Sequence, residues 1–122
     1  MGENNKMNIA NIFISLFVIH LVADWLLQND WMAKNKASLK SPAGWVHSGI
    51  HLLLSWIIIP FPFALIIGIT HLLIDTRKPL MWWRKIYHQT TEGDIGIHVA
   101  MWGDQVIHIL IIYLVSLLWV FI

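Results

Sequence analysis

The sequence predicts an all-α integral membrane protein: a single domain over residues 1–122, folded as a four-transmembrane-helix bundle with short interfacial segments in its two cytoplasmic loops. Three observations predict it. Hydrophobic residues make up 57% of the chain and charged residues only 12%, against roughly 25% charged in soluble domains. Mean hydropathy is +0.65. The apolar residues fall into four blocks separated by polar, tryptophan-bearing segments. A water-soluble globule of this composition lacks the polar side chains to cover its surface. Disorder is excluded by the same apolar excess and a net charge of only +1. With no cysteine, disulfide frameworks, thiolate zinc sites and cysteine nucleophiles are excluded as well.

The first span covers about residues 8–27 (NIANIFISLFVIHLVADWLL). Residues 1–6 make a weak leader region, His20 and Asp24 interrupt the apolar run, and no small-x-small cleavage site follows. It therefore reads as a retained helix rather than a cleaved signal. The second span covers about 44–59 and the third 61–75. Both fall short of the ~20 residues that cross a hydrocarbon core, so local thinning or flanking interfacial residues must make up the difference. Pro60 and Pro62 predict a tight turn between them rather than one long kinked helix, because each ring removes a donor and disfavours helix just before it. The fourth span covers about 95–122. Residues 29–43 and 76–94 are too polar to span, and their mixture of Trp with Lys or Arg suits segments lying on the inner leaflet.

Basic residues set the expected orientation. Lys34, Lys36 and Lys40 follow span one, and Arg77, Lys78, Arg84 and Lys85 follow span three, whereas the other side holds only Lys6. The positive-inside rule then places a multi-pass protein in the inner membrane with both termini outside the cytoplasm. Trp25, Trp31, Trp45, Trp82 and Trp83 cluster near the same two loops, as an aromatic belt does.

The informative residues are those that do not belong in lipid. Span one carries His20 and Asp24, span two His47 and His51, span three His71 and Asp75, and span four Asp104 and His108. Each pair is spaced i, i+4 and so lies on one helix face. Chance placement of the chain's His and Asp residues would yield roughly one such pair, yet every span owns one and Asp94–His98 adds another at the entrance to span four. With the expected topology all four intramembrane pairs lie in the cytoplasmic half, while residues 52–54, 57–59, 64–67 and 109–112 of the outer half contain no ionisable group. That agreement in depth predicts that the pairs meet. Helix-to-helix glue would use Ser, Thr or Asn, since a charge at mid-bilayer costs ~2.5–3.5 kcal/mol or more while an interhelical hydrogen bond returns ~0.6 kcal/mol. Five imidazoles and three carboxylates instead suit a divalent metal, one or two ions of Zn, Mn or Fe, much as ferritin-like bundles bind two.

Gln28 extends the first stripe by another turn and could orient a ligand or a bound water; an interfacial helix-end glutamine is the alternative. Gln105 and His98 are weaker candidates for the same supporting role, Gln105 because it points ~100° away from Asp104. His88 reads as a solvated loop residue. Arg77, Lys78 and Lys34 could meet a phosphate or lipid headgroup. Ser48 is the only serine beside the pairs, and no nucleophile motif accompanies it.

The ordered set His20-Leu-Val-Ala-Asp24-Trp-Leu-Leu-Gln28 with Asn29-Asp30-Trp31-Met32, His47-x3-His51, His71-Leu-Leu-Ile-Asp75 followed by Lys78, and Asp104-Gln105-Val-Ile-His108 resembles the bacterial membrane family called domain of unknown function 3307. The resemblance covers nearly the whole chain. It implies the helical fold and the residue set, and no reaction. A looser similarity to inner-membrane metal-dependent hydrolases with His/Asp-bearing helices is analogy.

The expected function is a membrane-embedded metal-dependent hydrolase acting at the inner leaflet on an amphipathic substrate, a lipid or an isoprenoid phosphate. A metal-ion or proton transporter is one alternative, with Asn8, Asn11 and Ser15 as its outer-half polar residues. A regulatory or structural subunit holding a structural metal or haem is another. The lipid bilayer is the expected partner, with a homo-oligomer allowed and no nucleic acid.

Overall fold

The computed structural model describes residues 8–122; residues 1–7, including Lys6 and the rest of the leader region, lie outside the described residues. The fold is all helical, with no strand among the described residues. α1 (Ile9–Leu21) starts where the Asn8 side chain accepts a hydrogen bond from the Asn11 amide at 2.9 Å. It continues unbroken into a π-helical turn, Val22–Leu26, which carries Asp24. Such wide turns insert one residue into a helix and recur at functional sites. α2 (Asp30–Asn35) is capped by Asn29, and α3 (Pro42–Trp56) by Ser41 with proline in its first turn. α4 (Phe61–Asp75) opens on Pro60 and Pro62. The two prolines separate α3 from α4, so a tight turn stands where one kinked helix was the alternative. α5 (Lys78–Ile86) begins after Arg77, whose φ of 64° turns the chain sharply. α6 (Gly93–Phe121) runs 29 residues.

α3 and α4 form a hairpin; α6 packs on α4 and α1, and α1 on α3. Short α2 lies against α3, while α5 bridges α4 and α6. One end of the bundle is a purely apolar core of Ile12, Leu16, Ile59, Ala64, Ile67, Ile112 and Val115. The buried His and Asp residues fill the other end. Much of the outer surface is apolar, with Leu26, Leu53, Ile57, Trp25 and Trp102 all more than half exposed. Buried polar groups beneath an exposed apolar surface invert the usual arrangement of a soluble domain.

Two helical stretches, Ile9–Leu26 and Gly93–Phe121, are long and apolar enough to cross a membrane. Of the four spans the sequence predicts, these two alone reach that length among the described residues. α3 and α4 have 15 residues each, about 22 Å at 1.5 Å per residue against a hydrocarbon core of about 30 Å. Proline at the turn ends both helices early at the apolar end, and the Thr76–Arg77 turn ends α4 at the other.

Gly44 permits the closest approach of the α2 segment. A Cβ there would lie 2.9 Å from the Lys36 backbone oxygen and 3.5 Å from Leu72 Cδ1. Gly44→Ala is therefore expected to cost about 1–3 kcal/mol through overpacking, seen as a lower melting temperature in detergent. Gly49→Ala, whose Cβ meets nothing within 4 Å, is expected to leave that temperature unchanged or raise it, because alanine favours helix by about 1 kcal/mol.

Candidate metal centre

All four long helices deliver their i, i+4 pair to one point. His20 ends the regular part of α1 and Asp24 sits in the π turn; His47 and His51 lie mid-α3; His71 and Asp75 occupy the last turns of α4; Asp104 and His108 lie in the middle of α6. Seven of these eight side chains are buried, and Asp104 is half-buried. The rings pack tightly: His51 stacks on His71 with centroids 3.6 Å apart, and His71 lies 4.3 Å from His108.

The Nε2 atoms of all five histidines face two carboxylates. Asp24 Oδ1 lies 3.0 Å from both His47 and His51 and 3.8 Å from His71, while its Oδ2 lies 3.2 Å from His20. Asp75 Oδ2 lies 2.9 Å from His71 and 3.5 Å from His47; its Oδ1 lies 3.1 Å from His108 and 3.7 Å from Lys36 Nζ. Asp104 Oδ1 lies 3.7 Å from His108. Closeness and bonding part company here. His51 and His108 donate well-aligned hydrogen bonds to Asp24 and Asp75. His47 Nε2, His71 Nε2, Asp75 Oδ2 and Asp104 Oδ1 are buried and lack any aligned hydrogen-bond partner, despite contacts as short as 2.9 Å.

The shorter of these separations match hydrogen bonds and also match the spacing of atoms that share an ion. Two donors each ~2.1 Å from a metal stand about 3.0 Å apart at a right angle and about 3.4 Å apart at the tetrahedral angle. His20, Asp24, His51 and His71 form one group whose donor atoms all lie within 4.8 Å of one another; His47, His71 and Asp75 form a second, and Asp75, Asp104 and His108 a third. Imidazole and carboxylate without thiolate is a donor set for Zn, Mn or Fe.

Among the expected supporting residues, Gln105 makes direct contact: His20 Nε2 donates to its Oε1 at 3.1 Å. The ~100° offset from Asp104 turns Gln105 toward α1, while Asp104 and His108 face α4. Gln28 lines a cavity beside the cluster and buries its Oε1 without a partner. His98 is exposed and outside the cluster. It precedes Asp104 by six positions on α6, about 9 Å along the axis and about 120° around it. His88 is exposed, as a loop residue should be.

The cavity has a volume of about 410 Å³ and opens the centre to the surface. Asp24, Gln28, Lys36, Arg77, Asp104 and Gln105 supply its polar wall, and Trp25, Ile97, Ala100 and Met101 its apolar wall. Of the three expected headgroup residues, Arg77 is there; Lys34 and Lys78 are exposed and do not line it. The second cation is Lys36, which the sequence reading did not single out from its neighbours. Only the seating of α2 on Gly44 brings it inward.

Fold and site together define a helical bundle with an apolar core at one end and a buried imidazole–carboxylate cluster at the other. The chain belongs to the family described as Protein of unknown function (DUF3307), which matches residues 12–122 and so takes in all eight clustered residues. No curated protein and no solved structure matches it.

Asp24 lies within 4 Å of four histidine rings and accepts a hydrogen bond from His51. Asp24→Ala should cost about 3–5 kcal/mol, the usual penalty for removing one member of a buried charged pair, read as a large drop in melting temperature. His88→Ala should stay within about 0.5 kcal/mol of the parent.

Proposed function

We propose that this is a multi-pass inner-membrane metalloprotein, a metal-dependent hydrolase that works at the inner leaflet on an amphipathic substrate with a phosphate-bearing head, such as a lipid or an isoprenoid phosphate. One observation carries the reading: eight donor side chains from four helices converge in a cluster in which His47 Nε2, His71 Nε2, Asp75 Oδ2 and Asp104 Oδ1 are buried without a hydrogen-bond partner. Burying that many ionisable groups among apolar helices is costly unless an ion satisfies them.

The inverted surface supports the membrane assignment, with α1 plus its π turn and α6 as full spans and the shorter α3–α4 hairpin completing a four-helix bundle in locally thinned bilayer. A divalent ion held by these residues would polarise a phosphoryl or carbonyl oxygen and lower the pKa of bound water. The remaining work falls to the protein. Gln28 and Gln105 orient groups at the cavity wall, Arg77 and Lys36 attract an anionic head, and Trp25, Ile97 and Met101 accept its apolar part.

A transporter is less well supported, because the core of Ile12, Leu16, Ile67 and Ile112 closes the bundle beyond the cluster. Haem fits poorly: imidazoles stacked at 3.6 Å leave no gap for a macrocycle between them.

Elemental analysis of detergent-purified protein should find a stoichiometric divalent metal, and chelation should lower the melting temperature. A ligand present at a hundred times its dissociation constant contributes about 2.7 kcal/mol. Metal-free protein with an unaltered melting curve would reject the metalloprotein reading. For topology, a reporter fused after Ile122 should report the non-cytoplasmic side; a cytoplasmic signal would reject the orientation and the leaflet assigned to the site.

A further inference from the structure

The donor atoms of the cluster are not equivalent, and the differences divide them. Three imidazoles make aligned hydrogen bonds: His20 Nε2 donates to Gln105 Oε1, His51 Nε2 to Asp24 Oδ1 and His108 Nε2 to Asp75 Oδ1. Both ring nitrogens of His47 lack a partner, as do His71 Nε2 and Asp75 Oδ2; His47, His71 and Asp75 form one compact group, and the unpartnered Asp104 Oδ1 belongs to another with Asp75 and His108. Asp75 is the member common to both, and its two oxygens point to different sides. Oδ2 faces His71 and His47; Oδ1 faces His108. A carboxylate placed this way can hold one ion on each oxygen, which suits the ~3.5–4 Å separation of two-metal sites.

The two sides also differ in access. His47, His71 and Asp75 are buried, and Asp24 Oδ1 at 3.0 Å from His47 supplies a fourth donor. Four protein donors complete a closed tetrahedral site. The other side has three protein donors, and Asp104 among them forms part of the cavity wall that also carries Lys36 and Arg77. Three donors and an open face are the pattern of a site that exchanges its remaining ligand. Two cations beside that face, Arg77 with its planar fork and Lys36 as a point charge, select an anion and match phosphate oxygens.

We propose that the cluster is a two-ion centre bridged by the Asp75 carboxylate, with an inner ion closed by His47, His71 and Asp24 and an outer ion, on Asp104 and His108, that takes a phosphate group from the cavity between Lys36 and Arg77. This rests on the metal-binding reading above and extends it to the number of ions, their unequal roles and which of the two takes the phosphate. His51, bonded to Asp24, and His20, bonded to Gln105, are positioning residues that bind neither ion, whereas His108 exchanges its bond to Asp75 Oδ1 for the outer ion, because it shares one donor group with Asp75 and the unpartnered Asp104 Oδ1.

The test uses the full chain purified in detergent and loaded with manganese. Elemental analysis should give two ions per chain, and electron paramagnetic resonance should show an exchange-coupled pair. Asp104→Asn should reduce the count to one and abolish the coupling while the protein still melts cooperatively. His47→Gln should likewise remove one ion, whereas His51→Gln should keep both. Inorganic phosphate should perturb the coupled spectrum, and Arg77→Gln should weaken that response about tenfold, as expected for loss of a charge-assisted contact, without changing the ion count. One ion per chain, or two without coupling, would overturn the bridge. Loss of an ion in His51→Gln would overturn the assignment of donors. A coupled spectrum indifferent to phosphate would overturn the ligand class. No bound metal at all would instead reject the underlying metalloprotein reading, so the two failures are distinguishable.

Discussion

Two carboxylates buried among the helices at the polar end of an apolar bundle are the constraint on which the rest of this structure depends. Asp24 and Asp75 are 6% and 2% exposed. A carboxylate removed from water loses several kcal/mol of solvation even after relaxation. Here the compensating groups are imidazoles from every long helix, since Asp24 is approached by His20, His47, His51 and His71, and Asp75 by His47, His71 and His108. No helix can slide or rotate without separating a carboxylate from its partners. The cluster therefore sets the helix register, a role that weak helix–helix attraction in an apolar medium would fill poorly.

The same constraint accounts for local irregularities. The π turn at Val22–Leu26 places Asp24 inward, and Trp25 and Leu26 outward. The glycine at 44 admits the backbone of the α2 segment and so lets Lys36 reach within 3.7 Å of Asp75. Arg77, in a left-handed conformation just beyond α4, ends that helix two residues after Asp75 and stands at the cavity mouth. Each departure from regular helix serves the polar end of the bundle.

The two ends divide the work. The apolar end holds the helices together through Ile, Leu, Ala and Val packing and closes the bundle beyond the cluster. The polar end opens to the surface through a cavity with one basic and acidic wall and one apolar wall. In the proposed bilayer this places ionisable chemistry at headgroup depth, where a charged head and an apolar tail can both be accommodated.

Much of this was legible in the sequence. The i, i+4 pairs identify which face of each helix turns inward, because side chains four apart lie one turn above each other whatever the partner. Pro60 and Pro62 mark the turn, because a ring without an N–H cannot sit within a helix interior. The eight clustered residues follow from those two rules plus a common depth. What the sequence could not decide was which helix faces which, and how the short polar segments fold back. Gln105 touches His20 because α1 lies against α6, a fact that no spacing encodes. His98 has the same i, i+4 relation to Asp94 as the clustered pairs have internally, yet it lies too far along α6 and on the wrong face. Lys36 rather than Lys34 or Lys78 enters the cavity because α2 docks on Gly44. Periodicity fixes directions within a helix, whereas contacts between elements and the path of loops depend on packing of the whole chain, and only the tertiary structure settles those.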